Sequence, residues 1–73
     1  MTPYSSVSGK ESGVTAYEIG GDFIIVRFYS VDYKYAYSSW GQSATEIMKK
    51  LALASNGLST YISQNDPDYE WKR

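Results

Sequence analysis

Alternation of apolar and polar residues across positions 14–38 constrains the fold of this chain more than any other feature. Successive side chains of a β-strand point to opposite faces, so a period of two indicates a half-buried strand. Residues 33–38 follow this period strictly, with tyrosine at every second position. Residues 22–29 are the most apolar strand candidate, and residues 14–19 form a shorter one. The sequence therefore predicts three consecutive strands.

Two turns join the predicted strands. Gly20 and Gly21 can supply the positive φ angles of a two-residue hairpin loop. Residues 30–32 mark the second turn, where a loop of even length keeps the apolar side chains on one face. The expected cross-strand neighbours are Tyr17 with Ile24, Thr15 with Val26, Phe28 with Tyr35, Val26 with Tyr37, Tyr29 with Lys34, and Arg27 with Ala36.

This register separates the side chains of the sheet into an apolar inward face and a mixed outward face. The inward set is Tyr17, Ile24, Val26, Phe28, Tyr35 and Tyr37. The outward set is Ile25, Arg27, Tyr29, Lys34, Ala36 and Ser38. A slip of one residue would exchange the two faces, so the segregation favours this alignment.

Helices are predicted after the strands. Residues 43–46 read Ser-Ala-Thr-Glu, a capping-box pattern, and an amphipathic run follows as far as Asn56 and Gly57. Apolar residues at helical spacing across 58–62 predict a second short helix. The expected fold is α+β: a three-stranded antiparallel meander followed by a helix and a short second helix, packed on one face.

The chain has room for one domain. Its 73 residues can form only a modest core. Residues 1–13 are rich in Ser, Gly, Thr and Pro, which predicts a flexible N-terminal arm. Residues 14–73 are expected to form a single small α+β domain.

Composition argues against an enzyme. The chain has no cysteine and no histidine, which removes the thiolate nucleophile, the usual general base and the commonest metal ligands. It also lacks a glycine-rich phosphate loop. We therefore predict no catalytic residues, no metal site and no cofactor.

Charge and hydropathy bound the partners and the location. The net charge is −1, which argues against a strong non-specific grip on nucleic acid but leaves room for a local basic patch. No apolar stretch approaches the length of a membrane span, and the first residues do not follow a signal-peptide pattern. A cytoplasmic protein without membrane contact is expected.

The outward face of the predicted sheet is the candidate site. Arg27, Tyr29 and Lys34 would lie together there, with small residues beside them. A basic sheet face with an exposed ring resembles the platforms on which single-stranded nucleic acids stack. Lys49 and Lys50 on the first helix would add positive charge. The hypothesis is a small non-catalytic module that contacts RNA or single-stranded DNA; an ordinary solvated sheet face explains the same residues.

A protein-interaction module is the alternative. Residues 33–38 would form an edge strand unless another segment pairs with them. The main chain of such a strand can accept a strand from a partner, and a second copy of this chain would give a homodimer.

The order of these motifs resembles that of a known family. The positions that carry the likeness are Val14 with Tyr17-Glu18, then Ile24, Val26 and Phe28, then Tyr35-Ala36-Tyr37, and near the end Thr60-Tyr61-Ile62-Ser63 and Tyr69. They resemble the KTSC-type domain, a short module named for its place at the C-terminus of some lysyl-tRNA synthetases. Trp40-Gly41 stands where that family has Val-Pro, and the helix is longer. The resemblance implies a compact β-β-β-α domain without catalysis and nucleic-acid contact at the sheet or helix surface.

Overall fold

A computed structural model describes residues 2–4, 13–54 and 57–73. These residues form β1 (Thr2–Pro3), β2 (Val14–Ile19), β3 (Phe23–Phe28), β4 (Val31–Ala36), α1 (Tyr37–Trp40), α2 (Gln42–Leu53), α3 (Leu58–Asn65) and β5 (Trp71–Lys72). All five strands belong to one antiparallel sheet in the order β1-β2-β3-β4-β5. The prediction of an α+β fold with a β2-β3-β4 meander followed by helices is confirmed.

The first hairpin has the predicted faces but a different register. Ile19 pairs with Ile24 and Tyr17 with Val26, so the loop spans residues 20–23, and Tyr17 does not face Ile24. Neither Gly20 nor Gly21 has a φ in the left-handed region. Glycine at position 20 is needed for close approach, since a Cβ there would lie 2.1 Å from the Phe23 ring. The shift of two residues preserves which side chains point inward.

The second hairpin turns earlier than predicted. Phe28 pairs with Val31 and Ile24 with Tyr35, which leaves a two-residue turn at positions 29 and 30. The predicted pairing of Phe28 with Tyr35 is therefore wrong, although the even shift keeps both side chains on one face. The earlier turn also ends β4 at Ala36. Tyr37, expected on the inward face of the strand, begins the helical turn α1 instead.

A bulge in β2 directs two residues to the core. Val14 pairs with Phe28 and Ala16 with Arg27, so Thr15 is one residue more than the partner strand provides. The Thr15 hydroxyl donates a hydrogen bond to the Tyr29 carbonyl at 3.2 Å. Because of this extra residue, the inward and outward positions of β2 change places, so Val14 and Tyr17 are both buried although they are three residues apart.

The core lies between the sheet and the helices. Its residues with no exposed surface include Ile24, Val26, Met48, Ala52 and Leu58. Rings surround them, and burial of apolar surface is the main term that holds a domain of this size together.

Residues 2–4 pack against the sheet and the core, whereas the sequence predicts that they belong to a flexible arm. Thr2 and Pro3 pair with β2, and Tyr4 is buried in the core. The backbone N–H of Leu58 donates to the Tyr4 hydroxyl at 3.3 Å, which ties this segment to α3. Residue 1 and residues 5–12 of the predicted arm lie outside the described residues.

Helix α2 begins two residues earlier than the predicted capping box, with Ser43 as its N-cap, requires. Its N-cap is Gly41, with φ 98°, and no side chain caps it. The side chain of Glu46 contacts other residues instead of returning to the Ser43 N–H. Within the described ranges, no helix has both the length and the apolar character that a membrane crossing demands.

Candidate functional site

The outward face is the side of the sheet opposite the helices. Register places its side chains in three cross-strand rows, since neighbours in a sheet share a face. The rows are Ala16–Arg27–Asp32, Glu18–Ile25–Lys34–Trp71 and Phe23–Ala36.

Arg27 lies opposite Asp32, and not opposite Ala36 as the sequence predicted. The guanidinium donates twice to the carboxylate, from Nε to Oδ1 at 2.7 Å and from Nη2 to Oδ2 at 3.2 Å. The hydrogen bond from Arg27 lowers the pKa of Asp32, and the same bond raises the pKa of Arg27. The arginine is 43% exposed, so its charge is partnered yet accessible from solvent.

Lys34 also has an acidic partner and lies beside a ring. Its Nζ is 3.4 Å from Glu70 and 4.8 Å from the centre of the Phe23 ring. Lys34 pairs with Ile25 across the sheet. The predicted pairing of Lys34 with Tyr29 is wrong, because Tyr29 lies in the turn with φ 55° and its side chain is 71% exposed.

The C-terminal strand β5 adds a ring and a cation to this face, beyond the residues predicted from the sequence. Trp71 pairs with Lys34, and the guanidinium of Arg73 lies 4.3 Å from the centre of the Trp71 ring. Paired main-chain hydrogen bonds of 2.9 Å between Asp32 and Arg73 hold the segment in place. Apolar Trp71 between charged Glu70 and Lys72 is the short period-two signal that could have identified this strand.

The same strand changes the predicted edge. The sequence predicts that residues 33–38 are free to accept a partner strand unless another segment pairs with them. Strand β5 pairs with Tyr33 and Lys34, and the Glu70 N–H donates to the Lys34 carbonyl at 2.7 Å. The main-chain edge of β4 is therefore occupied across its first half.

Lys49 is a buried side chain that links helix α2 to the β2–β3 loop and is not part of the outward face. It is only 8% exposed, its Nζ lies 2.7 Å from Glu46, and it donates to the Gly21 carbonyl at 3.0 Å. The Tyr37 hydroxyl donates to the same Glu46 carboxylate at 2.6 Å. Burial lowers the pKa of Lys49, but the hydrogen bond and charge of Glu46 outweigh it and the net pKa is raised.

The five residues predicted for nucleic-acid contact are thus divided between two layers. Arg27 and Lys34 share the outward face, and Tyr29 is at the end of the β3–β4 hairpin. Lys49 joins α2 to the β2–β3 loop, and Lys50 is exposed on that helix.

Comparison of the chain with protein-family models, curated proteins and solved structures finds no match in any of the three. The resemblance to the KTSC-type domain therefore stays a prediction.

Proposed function

We propose that this protein is a small non-catalytic binding module that contacts RNA or single-stranded DNA through its outward sheet face. The observation that carries the proposal is the pair of partly exposed rings on this face, each with a cation over it, at 4.8 Å for Phe23 and 4.3 Å for Trp71. A base stacks on either ring once the side chain of that cation swings aside toward a phosphate. Phe23 adjoins Lys34, and Trp71 adjoins Arg73. Bases stack on such rings whatever their sequence, and nearby cations meet the phosphates.

The surface that a ligand can reach is formed by the larger side chains of this face. Ala16 and Ala36 belong to its rows but are buried, so the accessible area lies over Phe23, Lys34 and Trp71. The antiparallel sheet holds Phe23 and Trp71 on one side of a rigid platform. A base can therefore stack without any rearrangement of the backbone.

Charge limits the strength of this interaction. Arg27 and Lys34 face carboxylates, so phosphates must compete with Asp32 and Glu70. With about two phosphates neutralised, the slope of log K against log salt should be roughly −1.4, which is shallow for a nucleic-acid binder. Dissociation constants on the order of 10–100 µM are expected at low salt. The proposal does not use Lys49 or Lys50, which lie with the helices.

Loss of the Trp71 ring tests the stacking surface. We expect Trp71→Ala to weaken binding of an eight-nucleotide oligo(U) or oligo(dT) by about tenfold, since one stacked base contributes roughly 1–3 kcal/mol. Leu53→Ala is the control, because Leu53 is exposed on α2. The measurement is an NMR titration in low-salt buffer. Shifts confined to the helices, or no shifts at millimolar oligonucleotide, would refute the proposal.

Removal of the Asp32 charge should strengthen nucleic-acid binding. Asp32→Asn frees the Arg27 guanidinium and removes a negative charge from the face, so we expect affinity for the same oligonucleotides to rise about threefold. Arg27→Gln should lower it. If both variants weaken binding, the ion pair is acting as a structural unit and Arg27 does not contact phosphate.

The alternative, self-association or partner binding through residues 33–38, now requires a conformational change. A second copy could add to the first half of β4 only after residues 70–73 detach from it. Sedimentation over a wide concentration range distinguishes the two proposals, since only self-association through residues 33–38 predicts a dimer.

A cytoplasmic location is part of the proposal too, because a chain without cysteines cannot use the disulfides that an oxidising compartment permits.

A further inference from the structure

An open pocket of about 270 Å³ lies on the inward side of the molecule, away from the outward face. Four aromatic rings line it, from Phe28, Tyr33, Tyr35 and Tyr69. The first three are inward residues of β3 and β4, and the fourth lies between α3 and β5. We call these four rings and the residues that complete the wall the aromatic cup.

The rings of the cup stand in two orientations around Tyr33. Phe28 and Tyr69 are nearly perpendicular to it, at 89° and 80°, with centroid distances of 5.7 and 5.2 Å. Tyr35 is nearly parallel to it, at 11° and 6.4 Å, but is only 2% exposed, so the ring surface open to a ligand belongs to the other three. Aromatic rings are negative over their faces, so walls at right angles offer that negative potential from more than one direction.

One carboxylate completes the wall. Asp66 follows α3 with φ 47°, and its side chain makes no hydrogen bond or ion pair within residues 2–4, 13–54 and 57–73. Ile62 and the buried Pro67 form the apolar remainder of the wall. The cup thus combines ring faces, apolar contact and a single unpaired negative charge.

A cation from the chain itself already lies near the cup. The Nζ of Lys72 is 6.0 Å from the centre of the Tyr33 ring. This distance is at the limit of a cation–π contact, so the ammonium sits at the rim. Its charge opposes entry of a second cation, whereas Asp66 favours it.

We propose that the aromatic cup binds an alkylated ammonium group, such as the trimethylammonium of choline or of trimethylated lysine. Such a cation has no N–H to donate, is weakly hydrated, and is attracted to ring faces and to a nearby carboxylate. The pocket volume lies just below the range of about 300–1,000 Å³ that accommodates drug-sized ligands, which suits a small head group. An anion would be repelled by Asp66, and among the four rings only the three tyrosine hydroxyls could donate a hydrogen bond to it.

A pair of probes with one shape separates charge from apolar contact. Choline and 3,3-dimethylbutan-1-ol differ by nitrogen in place of the central carbon, so only choline is charged. We expect choline to bind the full chain with a dissociation constant on the order of 1 mM and to shift the NMR signals of the cup residues. The neutral alcohol should bind at least about fivefold more weakly. Equal affinities, or no shifts from choline at tens of millimolar, would overturn the proposal.

Variants at the rim assign the contacts without disturbing the core. Asp66→Asn removes the charge but keeps a residue that tolerates positive φ, and should weaken choline binding about threefold. Lys72→Met should strengthen it by a similar factor. Opposite changes in choline affinity from these two variants support a cation site. A change of the same sign in both, or no change in either, contradicts it.

The ring of Tyr69 is the third contact to test, because this side chain is half exposed and its loss should not unfold the domain. Tyr69→Phe keeps the ring and should retain binding, whereas Tyr69→Leu keeps apolar bulk and should lose most of it. Equal binding by these two variants would remove Tyr69 from the site. A parallel titration with N-acetyl-trimethyllysine methylamide identifies the source of the cation. Tighter binding of this compound than of choline indicates a trimethylated lysine in a peptide, and tighter binding of choline indicates a choline head group.

Discussion

Ile24→Ala is expected to lower the free energy of unfolding by about 3 kcal/mol, within the usual range for truncation of a fully buried aliphatic side chain. Ile24 has no exposed surface and lies in the centre of β3, so the cavity left behind cannot fill with water or collapse easily. A domain of 73 residues has a total stability on the order of 5 kcal/mol. The variant should therefore be partly unfolded at 37 °C.

Its neighbour provides the matched control. Ile25 points to the outward face and is only partly buried, so Ile25→Ala should cost about 1 kcal/mol or less. Urea denaturation followed by circular dichroism measures both variants on one scale. Equal losses at the two positions would contradict the assignment of inward and outward faces on which the sheet depends.

Stability should fall steeply in alkali because of Tyr35. This side chain is 2% exposed, and burial raises the pKa of its hydroxyl well above the ordinary value; the nearby Tyr33, Tyr69 and Asp66 add to the shift. The unfolded chain loses this proton near pH 10, while the folded protein retains it. Stability is therefore complete below about pH 10 and decreases by about 1.4 kcal/mol for each pH unit above it, until the folded pKa is reached.

The Tyr35→Phe variant separates the ionisation of Tyr35 from other causes of lost stability in alkali. Tyr35→Phe should remove most of the slope, whereas Tyr29→Phe should leave it unchanged, since Tyr29 is exposed in the turn. Tyr37 adds a smaller slope of the same sign, because its hydrogen bond to Glu46 raises its pKa. Urea midpoints measured from pH 8 to pH 11 supply the test. An unchanged slope in Tyr35→Phe would show that another group titrates.

The assignment of faces was predictable from local pattern. Alternation places Ile24, Val26 and Phe28 on one side of their strand whatever the partner strand does. Even loop lengths were preferred because odd ones would bury Lys34. Both hairpins in the structure obey this parity, with shifts of two and four residues from the expected pairings.

The loop lengths themselves were not predictable, because several even loops give the same two faces. The structure places Gly20 against the Phe23 ring, an approach that a two-residue turn would not need. It also turns the chain at Tyr29, a residue that carries no turn signal in the sequence. The choice among these alignments depends on how well the whole sheet packs against α2 and α3.

By itself, the amino-acid sequence determined the α+β class, the inward and outward sets of the central strands and the helical C-terminal half. Only the tertiary structure decided that Arg27 meets Asp32, that Lys49 is buried, and that the chain end adds a fifth strand with Trp71. Side-chain alternation is a property of each strand alone, so the sequence displays it. The fifth strand and the aromatic cup join residues far apart in the chain, and the Arg27–Asp32 ion pair, although local, requires the two-residue turn between its strands. These contacts exist only once packing has chosen one register.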